Sequence, residues 1–158
     1  MKPTSVLFVC LGNICRSPTA QGVFEKIVAD AGLSESIQVD SAGTAAYHLG
    51  KAPDARSTAA AKARGYHLER FRARQISPDD FHQFDWILAM DAQNLADLQT
   101  IQPTHSKAQL GLFLDVIEPS TQRDVPDPYY GGPAGFEQVL DLCEAASRAL
   151  LTRMEAQS

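Results

Sequence analysis

Apolar positions arrive along this chain in two rhythms. Val6-Leu7-Phe8-Val9 is β-branched and aromatic without polar alternation, the pattern of a strand buried on both faces in a parallel sheet, and it stops at Cys10. Over residues 19–31 the rhythm changes to three and four: Ala20, Val23, Phe24, Ile27, Val28 and Ala31 mark one buried helical face, and Gly32 ends it. Ile37-Gln38-Val39-Asp40-Ser41-Ala42-Gly43 reads as a second strand. Strand, helix and strand make a βαβ unit with parallel strands and a right-handed connection.

The alternation continues to the end of the chain. Residues 54–64 are alanine-rich and helical up to Gly65, and Ser77-Pro78-Asp79-Asp80 predicts the capped start of a short helix. Residues 84–90 read as a third strand, 91–98 as another capped helix and 109–114 as a fourth strand. After Phe136, the positions Val139, Leu140, Leu142, Cys143, Ala146, Leu150 and Leu151 mark a final amphipathic helix, with Cys143 on its apolar face as inert core. The expected fold is a single α/β domain over residues 1–158. It is a four-stranded parallel sheet with helices on both faces, a flavodoxin-like or Rossmann-like three-layer arrangement, and its phosphate-binding loop joins the first strand to the first helix.

That first junction carries the chemistry. Gly12 and Asn13 are the residues that most easily take positive φ, and Ser17-Pro18 supplies an N-cap residue followed by proline at the first helical position. The strand therefore runs through a tight loop into a helix N-terminus, where unpaired N–H groups and the helix dipole favour anions. Cys10, facing those donors and the Arg16 guanidinium, is expected to carry a depressed pKa and to be a thiolate at neutral pH. Arg16 offers a planar fork for two phosphate oxygens, and Leu11, Gly12, Asn13, Ile14, Cys15 and Ser17 form the cradle. A thiolate, an oxyanion cradle and a bidentate clamp together describe phosphoryl transfer through a phosphocysteine.

Composition narrows the function classes. A chain of 158 residues is long enough for one core of its own, and a net charge of −5 with 44 % hydrophobic residues argues against a nucleic-acid binder. Three cysteines without scaffold spacing favour a reducing, cytoplasmic setting. Met1-Lys2 and the apolar run mimic a leader, but the run is too short for one, Val9 is too large for a cleavage site, and no stretch is long enough to span a bilayer. Cys10 and Cys15 would need two further ligands to hold zinc. His48, His67, His82 and His105 show no paired spacing, so neither metal nor cofactor is expected. Residues 51–74 hold Lys51, Arg56, Lys62, Arg64, Arg70, Arg72 and Arg74 against only Asp54 and Glu69. Most of these charges read as solvated, with several available to steer a phosphate dianion or acidic peptide.

A phosphocysteine route also needs a proton donor for the departing oxygen and a base for the attacking water, and one carboxyl can serve both steps. Asp124-Val125-Pro126-Asp127-Pro128-Tyr129-Tyr130-Gly131-Gly132-Pro133 is a proline- and glycine-broken loop of the kind that carries function, with Tyr129 and Tyr130 as walls for a cleft. It offers two candidates, Asp124 and Asp127. Residue patterns alone do not choose between them.

Val9-Cys10-Leu11-Gly12-Asn13-Ile14-Cys15-Arg16-Ser17-Pro18 resembles the signature loop of the low-molecular-weight protein tyrosine phosphatases. The likeness continues through Ala73-Arg74-Gln75-Ile76, residues 84–91, Asn94-Leu95 and Asp127-Pro128-Tyr129-Tyr130. The resemblance implies hydrolysis of protein phosphotyrosine, with Asp127 as general acid and then base. It further implies Tyr47 as an aromatic wall beside the site, and Ser41 hydrogen-bonding Asn13 to hold the loop. Cys15 is implied as the redox partner that captures oxidised Cys10 in a reversible disulfide, and Tyr129 and Tyr130 as kinase targets. Partners implied are tyrosine-phosphorylated proteins, a cognate tyrosine kinase among them, with inorganic phosphate as product, no nucleic acid, no membrane, and a monomer or weak dimer. Three rivals share the features. Thioredoxin-coupled arsenate reductases need further cysteines in mid-chain, and residues 16–142 contain none. A phosphoarginine phosphatase carries threonine where Ile14 stands. A non-catalytic phosphotyrosine-binding module needs neither Cys10 nor Asp127.

Overall fold

The computed structural model describes residues 3–117 and 123–157. Met1 and Lys2, the leader-like start, lie outside the described residues. Strand β1 (Thr4–Cys10) pairs on one side with β2 (Ile37–Gly43) and on the other with β3 (Trp86–Ala89), which pairs with β4 (Gln109–Leu112). All pairings are parallel and the order is β2-β1-β3-β4, the flavodoxin-type winding. Helices α1 (Arg16–Asp30), α2 (Ala55–Ala63), α3 (Asp80–Gln83) and α4 (Ala92–Ile101) fill the connections, and α5 (Pro133–Gln157) follows the last strand.

The continuous apolar run of β1 is explained by its central place in the sheet. Val6, Phe8 and Cys10 point into a core shared with α1 and α5, whereas Leu7 and Val9 point into a second core with Phe81 of α3 and Leu98 of α4. Phe8 packs edge-on against Phe24 of α1 and Phe113, with ring centroids 5.8 and 4.9 Å apart. Alternate residues of one strand thus seal two layers of helices onto the sheet. Among the described residues no helix is long and apolar enough to cross a membrane.

Several boundaries move from the sequence expectation. Ser17 is not the N-cap: α1 begins two residues earlier than expected, at Arg16, the N-cap position falls to Cys15, and the Ser17 hydroxyl has another use described below. Ser77 does not cap α3 with its side chain; the buried Asp80 carboxylate instead accepts the Ser77 N–H at 2.9 Å. The third strand starts at Trp86 because Phe84 and Asp85 still close α3 and join β1 through Phe84 N–H to Asp80 O and Asp85 N–H to Ser5 O. The fourth strand stops at Leu112, and Phe113–Val116 turns as a 3-10 helix that buries Phe113 against Phe8. Helix α5 starts at Pro133, earlier than its apolar positions reveal, since Pro133 and Ala134 are exposed.

Four of the seven cations of the basic stretch are held in ion pairs. Arg56 pairs with Asp54 at 3.0 Å, Arg64 with Glu137, Asp141 and Glu144 at 2.8–2.9 Å, Arg70 with Glu25, and Arg74 with Asp40 and Asp80 at 3.1 Å. Carboxylates brought in from α1, β2, α3 and α5 neutralise Arg64, Arg70 and Arg74, which are unopposed only along the chain.

Candidate active site

In a sheet wound in this order, ligands bind beyond the carboxyl ends of the strands where the winding reverses, here between β1 and β3. Cys10 closes β1 at that point, and residues 11–15 turn over it into α1. The turn takes positive φ at one residue, Asn13, at 57°. Gly12 does not take positive φ; it lies close under a neighbouring side chain, and a Cβ there would stand 2.9 Å from the His48 ring, which would have to move. Gly43 is the more tightly constrained, since its Cβ would stand 2.7 Å from the Leu11 carbonyl oxygen, a backbone atom held in place by the Ala45 N–H. The loop carbonyls face outward. Cys10 O accepts the Thr44 N–H (2.9 Å), Leu11 O the Ala45 N–H (3.0 Å) and Ile14 O the Asp54 N–H (2.7 Å).

Asn13 is the keystone of the loop. Its amide donates to Ser17 Oγ at 2.8 Å and Ser41 Oγ at 3.0 Å, its carbonyl oxygen accepts the Arg74 N–H at 3.0 Å, and its own N–H points at Cys10 Sγ at 3.3 Å. Ser41 Oγ gives its proton to Gln21 Oε1 at 2.7 Å, so it must accept from Asn13. Ser17 Oγ likewise accepts from Asn13, which leaves its proton for Cys10 Sγ at 3.0 Å in preference to the Ala42 carbonyl at 3.4 Å. Two donors therefore converge on the sulfur. Gln21 and Arg74 belong to this frame although the sequence reading did not single them out for it; only their approach in space reveals them.

Arg16 is 3 % exposed. Its Nη1 donates to Asp91 Oδ2 at 2.6 Å and to the Val125 carbonyl at 3.0 Å, and its Nη2 stands 3.6 Å from Asp127 Oδ2. Burial works against the cation, but the charge of Cys10 and the hydrogen bond and charge of Asp91, joined by Asp127, hold its pKa above the ordinary value. Asp91 also caps α4 through Oδ1, which accepts the Asn94 N–H at 2.8 Å. The sequence reading saw only that cap. A carboxylate at the C-terminal end of a central strand was the available signal for a site residue.

Of the two loop carboxylates, Asp124 is committed elsewhere, accepting the Ala92 N–H at 3.0 Å at the head of α4. Asp127 accepts the Tyr129 N–H at 3.0 Å, and its carboxylate opens on a cavity of about 290 Å³. Cys10, Leu11, Gly12, Ile14, Cys15 and Arg16 line that cavity, with Tyr47, His48, Tyr129 and Tyr130 around it. His48 was missed in the sequence, where nothing but its place beside Tyr47 marks it. Arg56 of α2 stacks on Tyr129 and Phe136, 5.4 and 4.8 Å from the ring centroids, and so ties the acid-bearing loop to the rest of the domain. Cys15 is buried, and that burial pushes its thiol up to about 12 despite the opposing hydrogen bond with Ser57. Among the described residues no group of three or more His, Cys, Asp or Glu is placed to hold a metal ion.

A phosphate monoester fits this arrangement with its phosphorus facing the sulfur and its leaving oxygen toward a carboxyl, and proteins so built are cysteine-dependent phosphatases. Residues 5–158 match the model of the low molecular weight phosphotyrosine protein phosphatase family, and the chain belongs to that family. It is 46 % identical over 151 residues, 94 % of each chain, to the low molecular weight phosphotyrosine protein phosphatase of Homo sapiens. Among solved structures, YfkJ of Bacillus subtilis superposes with a TM-score of 0.94 at 37 % identity, covering 100 % of this chain and 98 % of its own. A protein tyrosine phosphatase of Entamoeba histolytica gives 0.93 at 40 %, covering 98 % of both. The chain is a hydrolase working by the family's phosphocysteine mechanism on phosphotyrosine, with protein substrates and phosphate as product.

Proposed function

We propose that Cys10, Arg16 and Asp127 carry the reaction. The Cys10 thiolate attacks phosphorus in line with the tyrosine oxygen. Arg16 and the loop N–H groups hold the three equatorial oxygens, where charge spreads in the transition state. Asp91 and the Val125 carbonyl grip one end of the guanidinium, so its remaining donors stay aimed at the cavity. Asp127 gives its proton to the departing phenolate oxygen. It then takes a proton from the water that attacks the phosphocysteine, releasing phosphate and restoring the thiolate. In that second step the sulfur is the leaving group, and the Ser17 hydroxyl at 3.0 Å stabilises its returning charge. The observation that carries this reading is the convergence of Asp127 on Arg16 and Cys10 at a single cavity, from a loop more than a hundred residues away.

Tyr47, Tyr129 and the apolar Ile14 line the cavity as walls for an aryl ring, which favours phosphotyrosine over phosphoarginine. The test is turnover of matched phosphotyrosine, phosphoserine and phosphoarginine peptides, with and without chelator. Hydrolysis of the first alone, unchanged by chelator, is the expected result; preference for phosphoarginine would overturn the assignment of substrate. The partners of this reading are tyrosine-phosphorylated proteins, including a cognate tyrosine kinase, met by a monomer or weak dimer in the cytoplasm. Three free thiols support the reducing compartment.

Cys15 is proposed as a redox guard. Peroxide converts Cys10 to a sulfenic acid, and attack by the Cys15 sulfur forms the disulfide and expels water. A thiol raised to about 12 is protonated at neutral pH and more ionised as pH rises, so disulfide formation accelerates close to tenfold per pH unit over the range 7 to 9. Peroxide-inactivated enzyme recovers with dithiothreitol, whereas Cys15→Ser loses activity irreversibly; equal recovery of both proteins would sink the proposal.

A further inference from the structure

The exposed large hydrophobic side chains of the described residues are Leu11 (39 %), Tyr47 (73 %), Leu49 (57 %), Ile101 (38 %) and Tyr130 (94 %). All but Leu49 line one or both of two adjoining cavities. Leu11, Tyr47 and Tyr130 line the catalytic cavity, and Leu11 and Tyr47 also form one wall of a second cavity of about 460 Å³ that runs away from it toward Ile101. Ile76, Pro78 and Thr100 line this groove further along, and Asp97 is the one charged residue among its lining. The groove is built, not incidental. The Ala45 N–H fixes the Leu11 ridge at 3.0 Å, Gln75 Nε2 holds the Thr44 carbonyl at 3.2 Å, and Ile76 is anchored by its N–H to Gly43 O at 2.8 Å.

We infer that this groove receives the segment of a phosphoprotein substrate that flanks the phosphotyrosine, and that it selects an apolar side chain within three residues of it. The inference rests on the reading of the neighbouring cavity as the phosphotyrosine site. With the phosphate at Arg16 and the ring beside Tyr47, the substrate backbone leaves the cavity across its rim, and on one side that rim is Leu11 and Tyr47. An extended chain advances about 3.3 Å per residue, so a side chain one to three residues away lies within about 10 Å of the phosphotyrosine. Clustered apolar exposure continuous with a catalytic cavity is the signature of a recognition surface. With one carboxylate and no cation along its walls, the groove disfavours an acidic flank.

The test uses phosphotyrosine peptides that are identical except for leucine or serine at each of the three positions before and after the phosphotyrosine. The wild-type protein is expected to show about a tenfold higher kcat/KM for leucine at one or more positions on one side only. Ile101→Asp, and independently Thr100→Arg, are expected to bring that ratio close to one, and because the ratio is internal it is insensitive to partial loss of folded enzyme. No leucine preference at any position, or a preference unaltered in both variants, overturns the inference while leaving the catalytic reading intact. Turnover of no phosphotyrosine peptide would overturn both. Sedimentation supplies the last arm: a dimer abolished by Ile101→Asp, in a protein without flank preference, would assign the groove to a second copy of this chain and overturn the inference.

Discussion

Cys10→Ser is expected to abolish turnover, with a loss greater than about 10⁴-fold in kcat, while phosphotyrosine peptides still bind within severalfold of their wild-type affinity. A hydroxyl at this position would have to lose its proton to become a nucleophile, and the nearest loop carboxyl, Asp127, must itself be protonated to serve the leaving group. No general base is left to do it. Binding survives because its determinants lie elsewhere, in the loop N–H groups and in an arginine fixed by Asp91 at 2.6 Å and Val125 at 3.0 Å. Stopped-flow turnover and calorimetric titration of the same phosphopeptide separate the two quantities. A serine variant retaining more than a few per cent of wild-type kcat would remove the phosphocysteine from this site.

Asp127→Asn is expected to be nearly as damaging, but selectively so. Losing a general acid costs about 10²–10⁴-fold when the leaving oxygen is basic, and much less when it departs readily as an anion. The variant should therefore lose at least about 100-fold in kcat/KM on phenyl phosphate and phosphotyrosine peptides and only severalfold on p-nitrophenyl phosphate. The comparison belongs in kcat/KM, which reports the steps up to phosphoryl transfer to sulfur; kcat includes breakdown of the phosphocysteine, common to all substrates. Equal losses across leaving groups would move the proton donor to another residue. Asp124→Asn is the control: that side chain accepts the Ala92 N–H at the head of α4, a bond the amide oxygen of asparagine can also accept, and the variant is expected to keep near-wild-type kcat/KM on every substrate.

The same contrast between near and distant neighbours separates what was legible in the sequence from what was not. The strand ending at Cys10, the loop and the helix after it follow from a run of adjacent residues whose hydrophobicity and turn preferences act locally, and β1 and α1 occupy nearly the expected stretch. Ser17 marks the limit of such reasoning. Local preference makes it an N-cap, yet the amide of Asn13 and the sulfur of Cys10 converge on its hydroxyl in space. The apparent charge of residues 51–74 is reduced for the same reason: a count along the chain omits the carboxylates that other elements supply to Arg64, Arg70 and Arg74.

By itself, then, the order of residues determined the two rhythms of burial, the parallel α/β class, and the thiol, guanidinium and carboxyl candidates, because each depends on side chains close together in the chain. Only the folded sheet decided that Asp91, 75 residues from Arg16, would brace it. Only the folded sheet decided that Asp127 and not Asp124 would face the cavity, and that Leu11 and Tyr47 would divide two adjoining grooves. These are matters of distance between segments that meet at the carboxyl ends of parallel strands, and no local propensity encodes such distances.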